Sequence, residues 1–282
     1  RQEVLCSGIG LLIRPYVTQT LYSVIEIALL AAGDHSRPLD MDVLARFDGP
    51  GGTSITVPAF YDGGSTWRLR FAPAATGEWR YVTQSVPADP GLDGQTGRFT
   101  VGPPAGTNAL SQHGGFLKVG PGGHHLTYSD GTPFFWLGDT WWFCPSDLVP
   151  MDRSNRPGVS STYKLLVDTR AGQGYTVIQM ASLGKLTPAG KDSGVSGEFL
   201  FTGQFNADYW RLYDGYIRYA NERGLVPALG FGFHQGLNTP TLDQLKVLWR
   251  YVVARYGAHA VTWQICGEYN QAGGKDEKGQ AI

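Results

Sequence analysis

Seven side chains of this 282-residue sequence stand where apolar runs end, and their types could share one chemistry. Asp139, Trp141 and Trp142 follow the run Phe134-Phe-Trp-Leu-Gly138. Gln179 ends Tyr175-Thr-Val-Ile-Gln179, and His234 follows the run 225–231. Glu268 and Asn270 close Val261-Thr-Trp-Gln-Ile-Cys-Gly-Glu-Tyr-Asn270. Cleaving an acetal bond needs one carboxyl group to protonate the leaving oxygen and a second carboxylate as nucleophile or base. Aromatic rings stack on the C–H faces of a sugar, and amides and imidazoles hold its hydroxyls. Glu268 fits the acid. Asp139, Trp141, Trp142, Gln179, His234 and Asn270 fit a subsite around it. Each also has a plainer role. Glu268 can pair with an arginine, Asp139 can cap a turn, His234 can be a satisfied rim histidine, and either Trp can be core.

Other chemistries find less support. His124-His125 lies beside a glycine-rich turn, but no carboxylate stands at ligand spacing. Cys6, Cys144 and Cys266 are odd in number and far apart, which argues against a zinc site or a disulfide scaffold. Neither a metal nor an organic cofactor is expected. Lys185, Lys191 and Asp192 read as solvated surface within a Gly/Ser-rich insertion at 183–206, long enough to act as a lid.

Composition agrees with sugar handling and excludes much else. Lys and Arg number 23 against 24 Asp and Glu, a net charge of −1, so no concentrated positive field invites nucleic acid or an anionic membrane. Charged residues are 17% and hydrophobics 42%, which excludes general disorder and leaves enough apolar material for a large core. Gly (39) and Pro (17) together make about a fifth of the chain, and aromatics make 12%. Rings, turns and few charges suit either a sugar-binding protein or a β-rich core. The longest apolar stretches, 9–13 and 24–32, are too short to span a bilayer, and the second contains Glu26. The sequence opens on Arg1 with no clear signal peptide.

The elements that must position these side chains fall into two classes. Residues 1–105 read as an antiparallel β-sandwich, with residues 1–20 outside the pattern. Strands are expected at 43–47, 54–60, 66–72, 78–83 and 97–101, with turn clusters such as Asp48-Gly-Pro-Gly-Gly52 between them. Trp67, Leu69 and Phe71 alternate with Arg68 and Arg70, so they take opposite faces. Gly102-Pro-Pro-Ala-Gly106 reads as a linker.

Residues 106–282 change period. A small hairpin over 115–128 precedes strands expected at 134–138, 175–179, 225–231 and 261–265. Helices are expected at 160–172, 207–223 and 241–256, stopped by Gly172, Gly224 and Gly257. Repeated βα units demand a parallel sheet with helices against it. No glycine-rich phosphate fingerprint follows the first strand, which favours a (β/α)8 TIM barrel over an open doubly wound sheet. A whole barrel needs about 200–250 residues, so the expectation is its first half only. The fold class is thus α+β, a sandwich followed by a half barrel.

Several segments resemble known families. Phe60-Tyr-Asp-Gly-Gly64, Trp67-Arg-Leu-Arg-Phe-Ala-Pro73 and Gly77-Glu-Trp-Arg-Tyr81 resemble a β-sandwich of unassigned function that commonly precedes glycoside hydrolase barrels. Asp130-Gly-Thr-Pro-Phe-Phe-Trp-Leu-Gly-Asp-Thr-Trp141 and the segment 261–270 resemble the first and fourth barrel strands of apiosidase-like hydrolases. The resemblance implies a retaining mechanism with the general acid/base at the end of strand four, where Glu268 falls. Typical apiosidase-like enzymes carry Gly before an Asp there, and this chain carries Gly267-Glu268. It also implies a nucleophile on strand seven, beyond residue 282.

Two functions follow as expectations. One is a glycoside hydrolase acting on plant or microbial polysaccharides, with an oligosaccharide or polysaccharide as partner and no nucleic acid or membrane. The other is a non-catalytic carbohydrate-binding or accessory protein, with the partial barrel inactive alone. An uncovered half barrel is expected to self-associate and to turn over little substrate. A secreted or periplasmic location is implied by the resemblance.

Overall fold

The computed structural model describes residues 18–154, 156–181, 186–187, 205–231 and 241–265, and the backbone of a strand at Val4–Leu5. The chain divides into two units, residues 1–115 with 249–259, and residues 116–248 with 260–282. The fold is mixed α+β.

The first unit holds two sheets. One has the order β1-β3-β7-β6, from β1 (Val4–Leu5), β3 (Ile25–Leu30), β6 (Phe60–Tyr61) and β7 (Thr66–Phe71). The other has the order β2-β9-β8-β4-β5, from β2 (Thr18–Thr20), β4 (Asp42–Asp48), β5 (Ser54–Pro58), β8 (Gly77–Val86) and β9 (Thr96–Gly102). Most pairs are antiparallel as expected, but β1 lies parallel to β3 and β2 parallel to β9. The expected strand 54–60 is two strands in different sheets, with Ala59 carrying the chain from one to the other. The period-two pattern sets the core. Val43, Ala45 and Phe47 of β4 and Trp79 and Tyr81 of β8 face Ile27, Leu69 and Phe71 of the first sheet. Phe47 and Phe71 stack with centroids 4.1 Å apart.

Glu26, the one charge inside its apolar run, is explained by its partners. Its two carboxylate oxygens accept from Arg68 Nη1 and Arg70 Nε, each at 2.8 Å. Arg68 and Arg70 lie on the face away from Trp67, Leu69 and Phe71, as their alternation requires, yet Arg70 is buried. Residues from 249–256 cover it. Arg70 Nη1 donates to the Arg255 carbonyl at 2.8 Å, and Arg255 donates to Asp62 at 2.9 Å. The Asp62 carboxylate also accepts from Arg68 Nε at 2.7 Å. The Arg70 and Arg255 guanidiniums lie 4.8 and 4.6 Å from the centroid of the Phe60 ring. Arg255 and Asp62 are 0% and 2% exposed, so each needs its partners to offset lost hydration.

A second buried carboxylate ties loops together. Asp89 accepts from the backbone N–H of Ala32, Gly33 and Gly91 and bonds His35 Nε2, at 2.8–2.9 Å. Burial alone would raise its pKa, but these hydrogen bonds outweigh it and hold the group well below the usual carboxylate range.

In the second unit, β10 (Lys118–Val119), β11 (Leu126–Thr127) and β12 (Pro133–Phe134) form a small antiparallel sheet. Four parallel strands follow in chain order, β13 (Gly138–Trp141), β14 (Val177–Met180), β15 (Val226–Gly230) and β16 (Thr262–Gln264). The expected strand 134–138 is corrected here. Pro133 and Phe134 pair with β11, Phe135 is exposed, and the parallel strand starts only at Gly138. A short helix, α1 (Ala109–His113), belongs to the first unit. Helices α2 (Thr162–Gly172) and α3 (Ala207–Glu222) begin at Ser161 and Asn206, whose side chains accept backbone N–H groups of the first turn. Helix α4 (Leu242–Tyr256) precedes β16.

Two outcomes test this packing. The Asp89 contribution is complete above its unfolded pKa of about 3.9 and fades as pH falls through the lower folded value. Asp89→Asn should therefore lower stability by about 2 kcal/mol at pH 7, with a smaller gap to wild type below pH 4. Urea midpoints that keep the same gap at pH 3 would contradict the role of charge. Asp62→Ala strands buried Arg255 and should cost about 3–5 kcal/mol. A loss under 1 kcal/mol in the same assay would mean Arg255 finds another counter-charge.

Candidate functional site

Side chains of paired parallel residues share a face, so register decides what meets what. Asp139 pairs with Ile178 and Trp141 with Met180, whereas Thr140 pairs with Gln179. The first set faces the helices. Asp139 accepts from Arg170 Nε of α2 at 2.6 Å, from Trp141 Nε1 at 3.0 Å and from the Thr140 N–H at 2.9 Å. Burial pushes the Asp139 pKa up, but those donors and the Arg170 charge outweigh it and hold it below the ordinary value. Trp141 meets Tyr163 of α2 edge to face, with centroids 6.0 Å apart. Asp139 is thus the second residue of β13 rather than a residue beyond it, and its carboxylate is committed to α2.

The opposite, inner face carries a row of uncharged polar groups. Thr140 Oγ1 donates to Gln179 Oε1 at 3.2 Å, and Gln179 Nε2 donates to Gln264 Oε1 at 2.8 Å. The second bond passes over β15. Its inner positions are Ala228 and Gly230, opposite Gln179 and Gln264, and neither has a side chain long enough to intervene. The structure therefore brings Gln179 together with two residues that sequence reading missed, Thr140 and Gln264. For Gln264 the available signal was the alternation Thr262-Trp263-Gln264, whereas Thr140, next to Asp139, carried none. Trp142 and Phe143 follow β13 in a turn closed by Cys144 N–H donating to Trp141 O, and both rings are exposed. They are positioned at the C-terminal rim of the sheet, where open α/β sheets and barrels bind ligands. His234, Glu268 and Asn270 lie outside the described residues.

Other groups offer less. Cys144 is fully buried and its thiol pKa is pushed well up by that burial, which is the opposite of an activated nucleophile. Among the described residues no three His, Cys, Asp or Glu gather as a metal site would require, and no helix is long and apolar enough to cross a membrane.

Comparison with known proteins adds a family. Residues 121–281 match the model described as apiosidase-like, catalytic domain, and residues 18–86 match a domain of unknown function, DUF5060. A solved structure described as a candidate glycoside hydrolase from Bacteroides vulgatus ATCC 8482 superposes with a TM-score of 0.69 at 22% identity. That match covers 93% of this chain and 51% of the other, so the chain spans about half the length of that protein. A glycoside hydrolase at 25% identity reaches a TM-score of 0.45, covering 58% of this chain and 36% of its own. A glycoside hydrolase family 5 structure from Bacteroides vulgatus ATCC 8482 reaches 0.43 at 22% identity, covering 54% of this chain and 33% of its own. No curated protein matches the sequence.

The commitment of Asp139 to α2 is open to measurement. A double-mutant cycle of Asp139→Asn with Arg170→Met, read by urea unfolding, should give a coupling of about 1 kcal/mol. Additive losses would free the carboxylate for another role.

Proposed function

This chain belongs to the apiosidase-like family, and we propose that it acts as a retaining glycoside hydrolase on plant or microbial polysaccharides, with Glu268 as general acid and base. Family and fold make the chain glycoside hydrolase-like. The observation that carries the finer reading is the inner face of β13–β16, inside the family-matched segment, where uncharged amides and a hydroxyl replace the apolar side chains of an ordinary core. On this reading the first unit is a β-sandwich and the parallel sheet is the first half of a (β/α)8 barrel. Its chain-order strands suit a barrel, whereas a doubly wound sheet reverses order at a switch point.

The roles then divide by face. Glu268 protonates the glycosidic oxygen as the bond to the anomeric carbon breaks. A carboxylate from a later strand attacks that carbon and forms a covalent glycosyl intermediate. Water then displaces it while Glu268 takes back a proton. Trp142, Gln179, His234 and Asn270 line the sugar. Asp139 and Trp141, turned to α2, hold β13 in place. No cofactor or metal enters these steps. Extracellular placement belongs to the same proposal.

The accessory reading asks the first unit to bind sugar. Among its described residues Tyr22, Tyr61 and Trp249 are part-exposed rings that such a role could use. In protein made from the complete coding sequence, Glu268→Gln should cut hydrolysis of aryl glycosides with poor leaving groups by about 10²–10⁴-fold and spare activated ones. Equal losses on both series would remove the acid role from Glu268.

A further inference from the structure

A cavity of about 160 Å³ opens between the segment 147–153, Leu186-Thr187 and the first half of α3. It lies on the helix side of the parallel sheet. Tyr216, in its wall, packs on Tyr163 of α2 at 4.5 Å, and Tyr163 in turn meets Trp141. One part of the lining is charged, with Asp147 and Asp152 beside Arg153 and Arg211, and Arg211 also pairs with Asp208 at 3.2 Å. An anion gains no favourable net field there, whereas hydroxyl groups find both donors and acceptors. The other part is apolar, from Pro150, Met151, Leu212 and Tyr216.

The polar wall is held in place before any ligand arrives. Arg153 donates to Asp147 at 3.0 Å, to Asp152 at 3.0 Å and to the Thr187 carbonyl at 2.6 Å. The Asp147 carboxylate also accepts the N–H and the hydroxyl of Thr187, at 2.5 and 2.6 Å. Such fixed geometry lowers the ordering cost of binding.

An independent feature points to the same space. Gly215 lines the cavity from inside α3, where glycine is less favourable than alanine. A Cβ there would meet Met151 at 3.6 and 3.7 Å, ordinary contact distances, so helix packing does not demand glycine. A longer side chain would enter the cavity.

We propose that this cavity binds a small, neutral, polyhydroxylated ligand, a single sugar ring. The carboxylate and guanidinium groups take its hydroxyls, and Leu212, Met151 and Tyr216 meet its C–H face. The idea does not depend on the hydrolytic reading of the inner face.

The chain's three methionines give a direct test. Met151 lines the cavity, while Met41 sits in the core of the first unit and Met180 is buried in β14. The full chain, labelled at its methionine methyls, is titrated by NMR with the methyl glycosides of xylose, arabinose, glucose and galactose. Phosphate and acetate are titrated in parallel. At least one glycoside should shift the Met151 methyl saturably and leave Met41 still. Gly215→Leu, and independently Leu212→Trp, should weaken that response at least tenfold. Gly215→Ala should fold and raise the melting temperature. The proposal is overturned by a flat Met151 response to all four glycosides. A response to phosphate or acetate alone overturns it too, as does undiminished affinity in whichever filling variant folds.

Discussion

The two-residue period of a β-strand decides which side chains of the parallel sheet can meet a ligand. In β13, Asp139 and Trp141 fall on one parity and Thr140 on the other. The helix layer claims the first pair through Arg170 and Tyr163. The inner face is left to Thr140, Gln179 and Gln264. A shift of one residue would exchange these sets and put a carboxylate where an amide row now runs. The small residues of β15 complete the arrangement, because only Ala228 and Gly230 let the amides of β14 and β16 join above them.

The first unit follows a different logic. Its core is aromatic and conventional, with Phe47, Phe71, Trp79 and Tyr81 filling the space between two sheets. Its unusual feature is charge taken out of water on the other face of β7. Glu26, Arg68, Asp62, Arg255 and Arg70 form one connected set around the Phe60 ring. Replacing such a set wholesale by apolar residues is often neutral, whereas removing one member leaves a stranded charge. The network therefore makes the seating of residues 249–259 depend on each of its members.

The two faces of the parallel sheet present contrasting chemistry. The inner face is a hydrogen-bonded row of neutral groups between strands. The helix side holds a cavity with carboxylates and guanidiniums in one wall and a glycine of α3 in another. Both are preorganised by protein partners rather than left to solvent, although one is built on strands and the other on loops and a helix.

Much of this was legible in the sequence. Alternation in 66–72 and 78–83 predicted both strands, which run Thr66–Phe71 and Gly77–Val86. A serine at 160 or 161, Gly224 and Gly257 marked helix ends, because caps and glycine stops are local chemistry, and Gly224 takes the left-handed conformation. The family segments were legible too, since their motifs are contiguous. Other features depended on residues far apart in the chain. Nothing near Glu26 names Arg68 or Arg70, and nothing near Asp62 names Arg255. The run 134–138 is apolar enough for a strand, yet only pairing with β11 assigns Pro133–Phe134 to another sheet and delays β13 to Gly138. That delay turned Asp139 from an expected rim residue into a strand residue facing α2. Composition and local periodicity determine which segments become strands and helices. Register and face come from cross-strand partners, and those exist only once the chain has folded.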